Sequence, residues 1–308
     1  MISNAVSETV IETLKEYVPG ENVHPAEPMS RHTTFRVGGA ADCLVEIGST
    51  KQLQQVQKYL QLVEVPYTVI GNGSNLLVGD RGYRGVILQL GNQFNKIQVE
   101  GNRITAQAGA LLSAIARAAL EHGLTGFEFA AGIPGTAGGA VVMNAGAYDG
   151  EMKQVITSVT VLDVEGNELV LDNETMEFGY RTSVLKKRPF VVTEIALELK
   201  PGDPEQIKGR MEELARLRRE KQPLEYPSAG STFKRPEGMF AGKLIMDADL
   251  RGFRIGGAMV SEKHCGFLIN AGGATAADVL AVMTAVQDKV EEKFLVRLEP
   301  EVVMLGEF

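Results

Sequence analysis

Apolar positions along the chain recur with helical period in some segments and cluster in short strand-like runs in others. Val6, Val10, Ile11 and Leu14 fall on one face of a helix predicted over residues 3–18. The proline-bearing stretch at 24–28 reads as a loop, and CLVEI (43–47) as a strand. Ser49 and Gln52 have the spacing of a capping box ahead of Leu53, Val56 and Leu60, so a helix opens there. Strands follow at VPYTVI (65–70), GVILQL (85–90), KIQVE (96–100) and RITAQAG (103–109), then a helix carrying Leu112, Ile115, Ala116 and Leu120. VITSVTVLD (155–163) and ELVLD (168–172) flank Glu165-Gly166-Asn167 as a hairpin, and FVVTEIALELK (190–200) is a further strand. Asp203 and Pro204 start a helix whose inward stripe is Ile207, Met211, Leu214 and Leu217. Arg216, Arg218, Arg219 and Lys221 crowd its last turn, where cations favour the helix dipole. Thr275 and Asp278 cap a last helix bearing Val279, Val282, Val286 and Val290, and residues 298–305 close the chain as a strand.

One stretch follows neither period. Gly126–Gly150 holds seven glycines in twenty-five residues and almost no charge. Flexible linkers are polar and serine-rich, whereas glycine lets a main chain approach a ligand closely. A tight turn between buried strands would use one or two of these glycines. Backbone lying against something flat and large accounts for more of them. Upstream, Gly71-Asn72-Gly73-Ser74-Asn75 directly follows a strand and gathers amide and side-chain donors suited to a diphosphate. A hairpin turn is the plainer reading of its Asn-Gly pair.

The totals narrow the class of protein. With 308 residues the chain is long enough for two domains, or one large one with an appended lobe, and 44% hydrophobic content is that of a globular protein. A net charge of −8 argues against a nucleic-acid partner, so any anionic ligand must meet locally gathered cations or amides. No apolar run is long enough to span a membrane, and the acidic amino terminus lacks a signal peptide's basic region and apolar core. A cytoplasmic protein is expected, with Cys43 and Cys265 as two buried thiols. His24, His32, His122 and His264 show no ligand spacing, so no metal is expected. There is no GxxxxGK[ST] loop, and 71–76 fails the dinucleotide fingerprint at its third glycine.

In chain order, TTFRVGG (33–39), GNGSN (71–75), GIPGTAGGAVVMNAGAY (132–148), GYRTS (179–183), AGSTFKRP (229–236) and LEPEV (298–302) make a specific set. Together they resemble the bacterial UDP-N-acetylenolpyruvoylglucosamine reductases, flavoenzymes that complete the muramic acid sugar of peptidoglycan. The likeness extends over nearly the whole chain. It implies an α+β architecture: an FAD-binding fold of the vanillyl-alcohol oxidase type in two subdomains, 1–90 and 91–202, plus a carboxy-terminal α+β substrate-binding domain, 203–308. The terminal strand would return to the active site. It implies non-covalent FAD, NADPH as co-substrate, small-molecule partners only and a monomer. Gly71, Asn72, Gly73, Ser74 and Asn75 would hold the FAD diphosphate. Gly132, Ile133, Pro134, Gly135, Thr136, Gly138, Gly139, Asn144 and Gly146 would run along the flavin.

The same resemblance makes Ser231 the proton donor, with Arg181 and Glu301 its partners at the enolpyruvyl group. Lys221 and Arg235 would contact the substrate's acidic groups. These residue types suit the chemistry. Hydride added to the methylene carbon leaves carbanion or enolate character beside a carboxylate, so the protein must supply electrostatic stabilisation and one proton. An arginine forks onto enolate and carboxylate oxygens as a lysine does not. Glu301 would serve as an acid when protonated or orient Arg181 as a carboxylate; the sequence leaves both open. The best-known branch of the family carries an extra loop whose tyrosine folds over the substrate. Here Leu199 passes directly toward the Asp203 helix, with no tyrosine until Tyr226, which resembles the shorter second type. Two alternatives stand beside this reading: a flavin oxidase of the same fold, and a flavin-binding protein without turnover.

Overall fold

The computed structural model describes residues 6–308. Its first layer is a four-stranded sheet in the order 23–28, 40–47, 83–90, 67–70. The outer pair, Val23–Pro28 and Ala40–Ile47, is antiparallel; the other neighbours are parallel. The helix Thr50–Leu62 makes the crossover between two of the parallel strands, with Leu53, Val56 and Leu60 fully buried. Ile47, Ile70 and Leu90 therefore end their strands at one edge of the sheet. In open parallel sheets that carboxyl edge is where ligands bind, and GNGSN departs from it directly after Ile70.

A second, antiparallel sheet runs 168–172, 156–162, 191–198, 103–107, 97–100. Leu112, Ile115, Ala116 and Ala119 of the helix Leu112–Glu121 are buried in a core that also takes in Cys43, Val45, Val86 and Leu88 of the first sheet, while Ala41, Leu44, Ile70 and Ile87 on that sheet form a separate cluster. The third unit packs the helices Ala241–Asp247 and Ala276–Phe294 with the three-stranded sheet 254–255, 258–260, 268–270. Its core takes in Phe35, Val37 and Leu77 from the amino-terminal part. The terminal strand Val303–Leu305 pairs in parallel with Leu76–Val78, returning the chain's end to the first unit. No helix among the described residues is long and apolar enough to cross a membrane.

Asp80 adds a polar link between these units. Its two carboxylate oxygens accept from the Ala276 and Ala277 N–H groups at 2.8 Å each, at the amino terminus of the helix Ala276–Phe294. Thr275 and Asp278 form the reciprocal box on the same turn. Asp80→Ala is expected to lower unfolding stability by about 1 kcal/mol, the usual value of a lost helix cap, as read from urea denaturation. An unchanged midpoint would show that the box suffices alone.

Several elements depart from expectation. The predicted loop at 24–28 belongs to the edge strand Val23–Pro28, because an edge strand leaves one side unpaired and so tolerates proline. The first helix spans Glu8–Tyr17 behind a Ser7 cap, and residues 3–5 of its predicted span lie outside the described residues. Ser49 does cap Gln52 N–H, but the Gln52 side chain accepts from Gly48 N–H instead of closing the box. Within the glycine-dense stretch the helix Ala137–Val142 and the hairpin Gly146–Ala147/Gly150–Glu151 escape the pattern reading. Glycine disfavours helix, and tertiary bonds set this one: Ala137 and Gly138 N–H donate to the carbonyls of Ala110 and Ala108. Cys43 and Cys265 are free and buried, and burial pushes the Cys43 thiol up to about 12.

Candidate active site

The GNGSN turn is held from both sides. At Gly73 φ is +60°, and a Cβ there would overlap the carbonyl oxygen of His32; at Gly71 it would overlap the Thr136 hydroxyl. Only glycine lets the turn close onto both neighbours. Thr34 N–H donates to Gly73 O at 3.3 Å, and Asn72 Nδ2 to Pro134 O at 2.8 Å. Gln89 Nε2 donates to Gly71 O, while Gln89 Oε1 lies 3.0 Å from His32 Nδ1. A cavity of about 260 Å³ opens beside the turn, lined among others by Gly71, Asn72, Gln89, Gly91, Gly109 and Thr136. The Thr34 hydroxyl nearby is buried without a partner among the described residues, a cost that an oxygen-rich ligand would relieve.

A second constellation lies where three segments meet. Arg181 occupies the tight turn Gly179–Thr182 at φ +54°, a left-handed conformation that is strained for so bulky a residue. Its Nε donates to Glu301 Oε1 at 2.7 Å, and an Nη donates to Gly146 O at 3.2 Å. The two side chains are 23% and 13% exposed, so the pair is well shielded from water. Burial raises the Glu301 carboxyl above its ordinary range, against the pull of Arg181, Lys186 and Lys234. Lys186 is lowered by burial and by Lys234, with Glu301 opposing. Lys234 is itself paired with Glu299 at 2.9 Å, so three cations and two carboxylates share one partly dry corner.

Glu301 is fixed through its backbone. Its N–H donates to Thr232 O at 2.8 Å, and its carbonyl accepts from Asn75 Nδ2 at 3.0 Å, which joins this corner to the GNGSN turn. Thr232 N–H in turn bonds Gly266 O, and Ser231 bridges Phe267. Ser231 is exposed, one residue from the strand contact that carries Glu301. The structure therefore pairs Arg181 with Glu301 directly and places Ser231 beside them without a hydrogen bond to either. Lys221 stands exposed at the end of the helix Pro204–Lys221. Arg235 N–H bonds the Tyr180 hydroxyl, and its guanidinium lies 5.3 Å from the Phe240 ring centre. Neither cation has a carboxylate partner among the described residues, and neither contacts the Arg181–Glu301 pair.

Comparison with known proteins decides what this arrangement belongs to. Residues 222–305 match the family model of the UDP-N-acetylenolpyruvoylglucosamine reductase C-terminal domain, and residues 41–172 match an FAD binding domain. The UDP-N-acetylenolpyruvoylglucosamine reductase of Caldanaerobacter subterraneus subsp. tengcongensis is 52% identical over 302 residues, covering 98% of this chain and 100% of the relative. That of Clostridium perfringens strain SM101 is 54% identical over 293 residues, covering 95% and 96%. The chain belongs to the UDP-N-acetylenolpyruvoylglucosamine reductase family. The family's crystal structure from Thermus caldophilus aligns with TM-score 0.80 at 38% identity over 91% of this chain and 98% of that one. A 4-ethylphenol oxidase from Gulosibacter chungangensis, at TM-score 0.51 and 16% identity over 64% of this chain, shares the fold alone. Family membership makes the protein an FAD-dependent oxidoreductase, with the FAD-binding fold followed by the carboxy-terminal α+β domain.

The residues present fit that cofactor. A glycine cradle at the carboxyl edge of a parallel sheet and an unpartnered buried hydroxyl suit a diphosphate. Ser74 and Asn75 complete the turn, and Gly135, Ile133 and Pro134 follow on the facing segment. The Gly132 stretch then continues into the helix bearing Gly138 and Gly139 and on to Gly146. Asn144 is different. Both its amide protons are spent, on Glu151 Oε2 and Gly179 O, and its Oδ1 accepts from Lys153 N–H. Its side chain braces the Arg181 turn against the glycine stretch, so only its backbone is left for a cofactor.

Pattern reading also passed over Arg218. Cations in the last turn of a helix favour its dipole, yet the Arg218 side chain lies against Gly132. The signal was present in the spacing: 207, 211, 214 and 218 follow the i, i+4, i+7, i+11 stripe, which puts Arg218 on the apolar face.

Proposed function

We propose that this family member catalyses the reaction its relatives are named for: reduction of UDP-N-acetylglucosamine enolpyruvate to UDP-N-acetylmuramate, with NADPH as reductant. The place of the reaction is peptidoglycan precursor synthesis. The shielded Arg181–Glu301 pair carries the reading, because three separated segments cooperate to hold one arginine in a strained turn. FAD held by the GNGSN turn and the 132–146 stretch would supply the hydride chemistry that links NADPH to the methylene carbon of the enol ether.

The protein's own groups do the rest. Arg181 steadies the negative charge that develops on the carbon and carboxylate oxygens. Glu301, held through backbone bonds from Thr232 and Asn75, fixes the guanidinium plane as a carboxylate. Lys186 adds positive potential to the same corner, while the charge of Lys234 is shared with Glu299. Ser231 delivers the proton to the carbon next to the carboxylate; a hydroxyl is a weak acid, but a carbanion is a strong enough base to take its proton. Lys221 and Arg235 are assigned to the substrate's acidic groups, and the glycine stretch 132–146 to the flavin. The division at 90/91 and 202/203, a cytoplasmic monomer and non-covalent cofactor attachment belong to the same reading.

NADPH oxidation that depends on the sugar nucleotide, with a product one hydride and one proton heavier, tests the proposal. NADPH oxidation indifferent to the sugar nucleotide would sink it. A pH prediction follows from Glu301. Burial raises its carboxyl, so the ionised form required here is lost on acidification at a pH above the ordinary 4.5. Substrate reduction is expected to fall through that pH and rise to a plateau above it. Glu301→Gln should lower the rate and erase this acidic limb, as a pH–rate profile of the second half-reaction reads. In stability the sign is opposite: a carboxyl whose pKa rises on folding favours the folded state at low pH, and that contribution is lost as pH rises through the raised value.

A further inference from the structure

His32 lines the cavity beside the GNGSN turn, and both nitrogens of its ring face oxygen. Nδ1 lies 3.0 Å from Gln89 Oε1, and Nε2 lies 3.0 Å from Glu27 Oε1. The Gln89 amide has its orientation fixed from the far side. Gly71 O can only accept, so the Gln89 atom bonded to it at 3.2 Å is the amide nitrogen. Gln89 Oε1 is thereby turned to the ring, and it too can only accept. Glu27, as an ionised carboxylate, is limited in the same way. A neutral imidazole has one N–H and satisfies one of these contacts, whereas the imidazolium satisfies both. The His32 and Glu27 side chains are each 16% exposed, so water is a poor substitute for either partner. Two other charges stand near. Arg31 on the same turn lies 3.6 Å from Glu27 Oε1 but is largely exposed, and Glu46 on the cavity wall is engaged by His24 at 3.2 Å.

The chain of bonds ends on the turn itself. In a trans peptide the C=O and N–H point opposite ways. Gln89 holds the Gly71 carbonyl on one side, so the Asn72 N–H is presented on the other. Thr34 N–H holds Gly73 O and presents the Ser74 N–H in the same manner. Neither of these N–H groups has an acceptor among the described residues. We propose that His32 is a positioning residue for the cofactor, on the reading that this turn holds the FAD diphosphate: its proton on Nδ1 locks the turn, through Gln89, in the form that presents the Asn72 N–H. When the ring loses a proton it is this one, because the charge-assisted bond to Glu27 holds the other more strongly. Gln89 Oε1 then faces a lone pair, and the Gly71–Asn72 peptide loses its brace. FAD is held more tightly when His32 is protonated, and by reciprocity bound FAD favours the protonated ring.

The test is FAD retention by the full-length holoenzyme, read as flavin fluorescence released on dilution across the pH range in which histidines titrate. The dissociation constant is expected to rise with pH by roughly three- to tenfold, the weight of one hydrogen bond. The rise should fall where the imidazole nitrogen chemical shifts of histidine-labelled holoenzyme show His32 Nδ1 losing its proton. Glu27→Gln removes the carboxylate that favours the charged ring and should move the step to lower pH. His32→Gln cannot titrate and should abolish the step, while His24→Gln should keep it. An FAD affinity indifferent to pH would overturn the assignment. So would a His32 ring found neutral while FAD is held at full affinity, a result the wild-type nitrogen shifts give even if the variants do not fold. The cofactor placement fails separately, if Gly73→Val retains FAD. FAD lost from Gly73→Val but released without pH dependence from the wild type removes only the role of His32.

Discussion

Ser231→Ala is expected to leave flavin reduction by NADPH near the wild-type rate while slowing reoxidation by the sugar nucleotide about 10²- to 10⁴-fold, the usual contribution of a positioned acid. The variant separates chemistry from structure. Ser231 is exposed and its hydroxyl makes no hydrogen bond among the described residues, whereas the neighbouring Thr232 holds the strand through Gly266, Leu268 and Glu301. Removing the Ser231 oxygen therefore leaves the scaffold alone and deletes only what the substrate would meet. Stopped-flow absorbance of the flavin follows both half-reactions in one preparation. Equal impairment of the two would make Ser231 a turn residue and leave the proton without a donor.

Gly73→Val is expected to abolish FAD binding. Two effects combine there. A left-handed φ of +60° costs a β-branched residue about 1–2 kcal/mol by itself. The new side chain would also drive into the carbonyl of His32, parting TTFRVGG from GNGSN and opening the cradle. Gly101 supplies the control. It has almost the same φ, +59°, but no atom lies within 4 Å of its Cβ position. Gly101→Val should carry the conformational cost alone and keep its FAD. The ratio of flavin to protein absorbance after gel filtration reads both. A yellow, stoichiometric Gly73→Val would show that the cradle is not where the cofactor sits.

Much of the fold is written in local pattern, because local chemistry decides it. Ser49 and Thr275 cap their helices, Asp203 with Pro204 starts another, and the hairpin around Gly166 forms where turn chemistry put it. Elements set by tertiary contact were hidden. The strand Val23–Pro28 looks like a loop because its prolines are acceptable only at a sheet edge, and nothing local reveals the edge. The helix Ala137–Val142 is glycine-rich and stands on bonds to Ala108 and Ala110, from a distant strand end. The link from Asp80 to the helix at Ala276 joins residues almost two hundred positions apart and has no local signature.

The site divides the same way. The glycines were legible because a dense cluster of them needs a cause, and Arg181, Ser231 and Glu301 came from the resemblance of whole motifs. No pattern shows that Arg181 Nε reaches Glu301 or that its turn is left-handed. Asn144 came from the same resemblance, and no pattern shows that its amide donates to Gly179 and Glu151. Arg218 was obscured by three neighbouring cations whose exposed positions need no special explanation, although its helical phase set it apart.

In the proposed reaction one protein passes reducing equivalents from NADPH to the enolpyruvyl group with FAD as carrier, and Arg181, Ser231 and Glu301 act only on the second transfer. Its most direct test is a single turnover. The holoenzyme is reduced with one equivalent of NADPH in the absence of oxygen and then mixed with UDP-N-acetylglucosamine enolpyruvate. The account predicts rapid and complete return of the oxidised flavin spectrum with one equivalent of UDP-N-acetylmuramate formed. A flavin that stays reduced after mixing, and reoxidises only when oxygen is admitted, would contradict it.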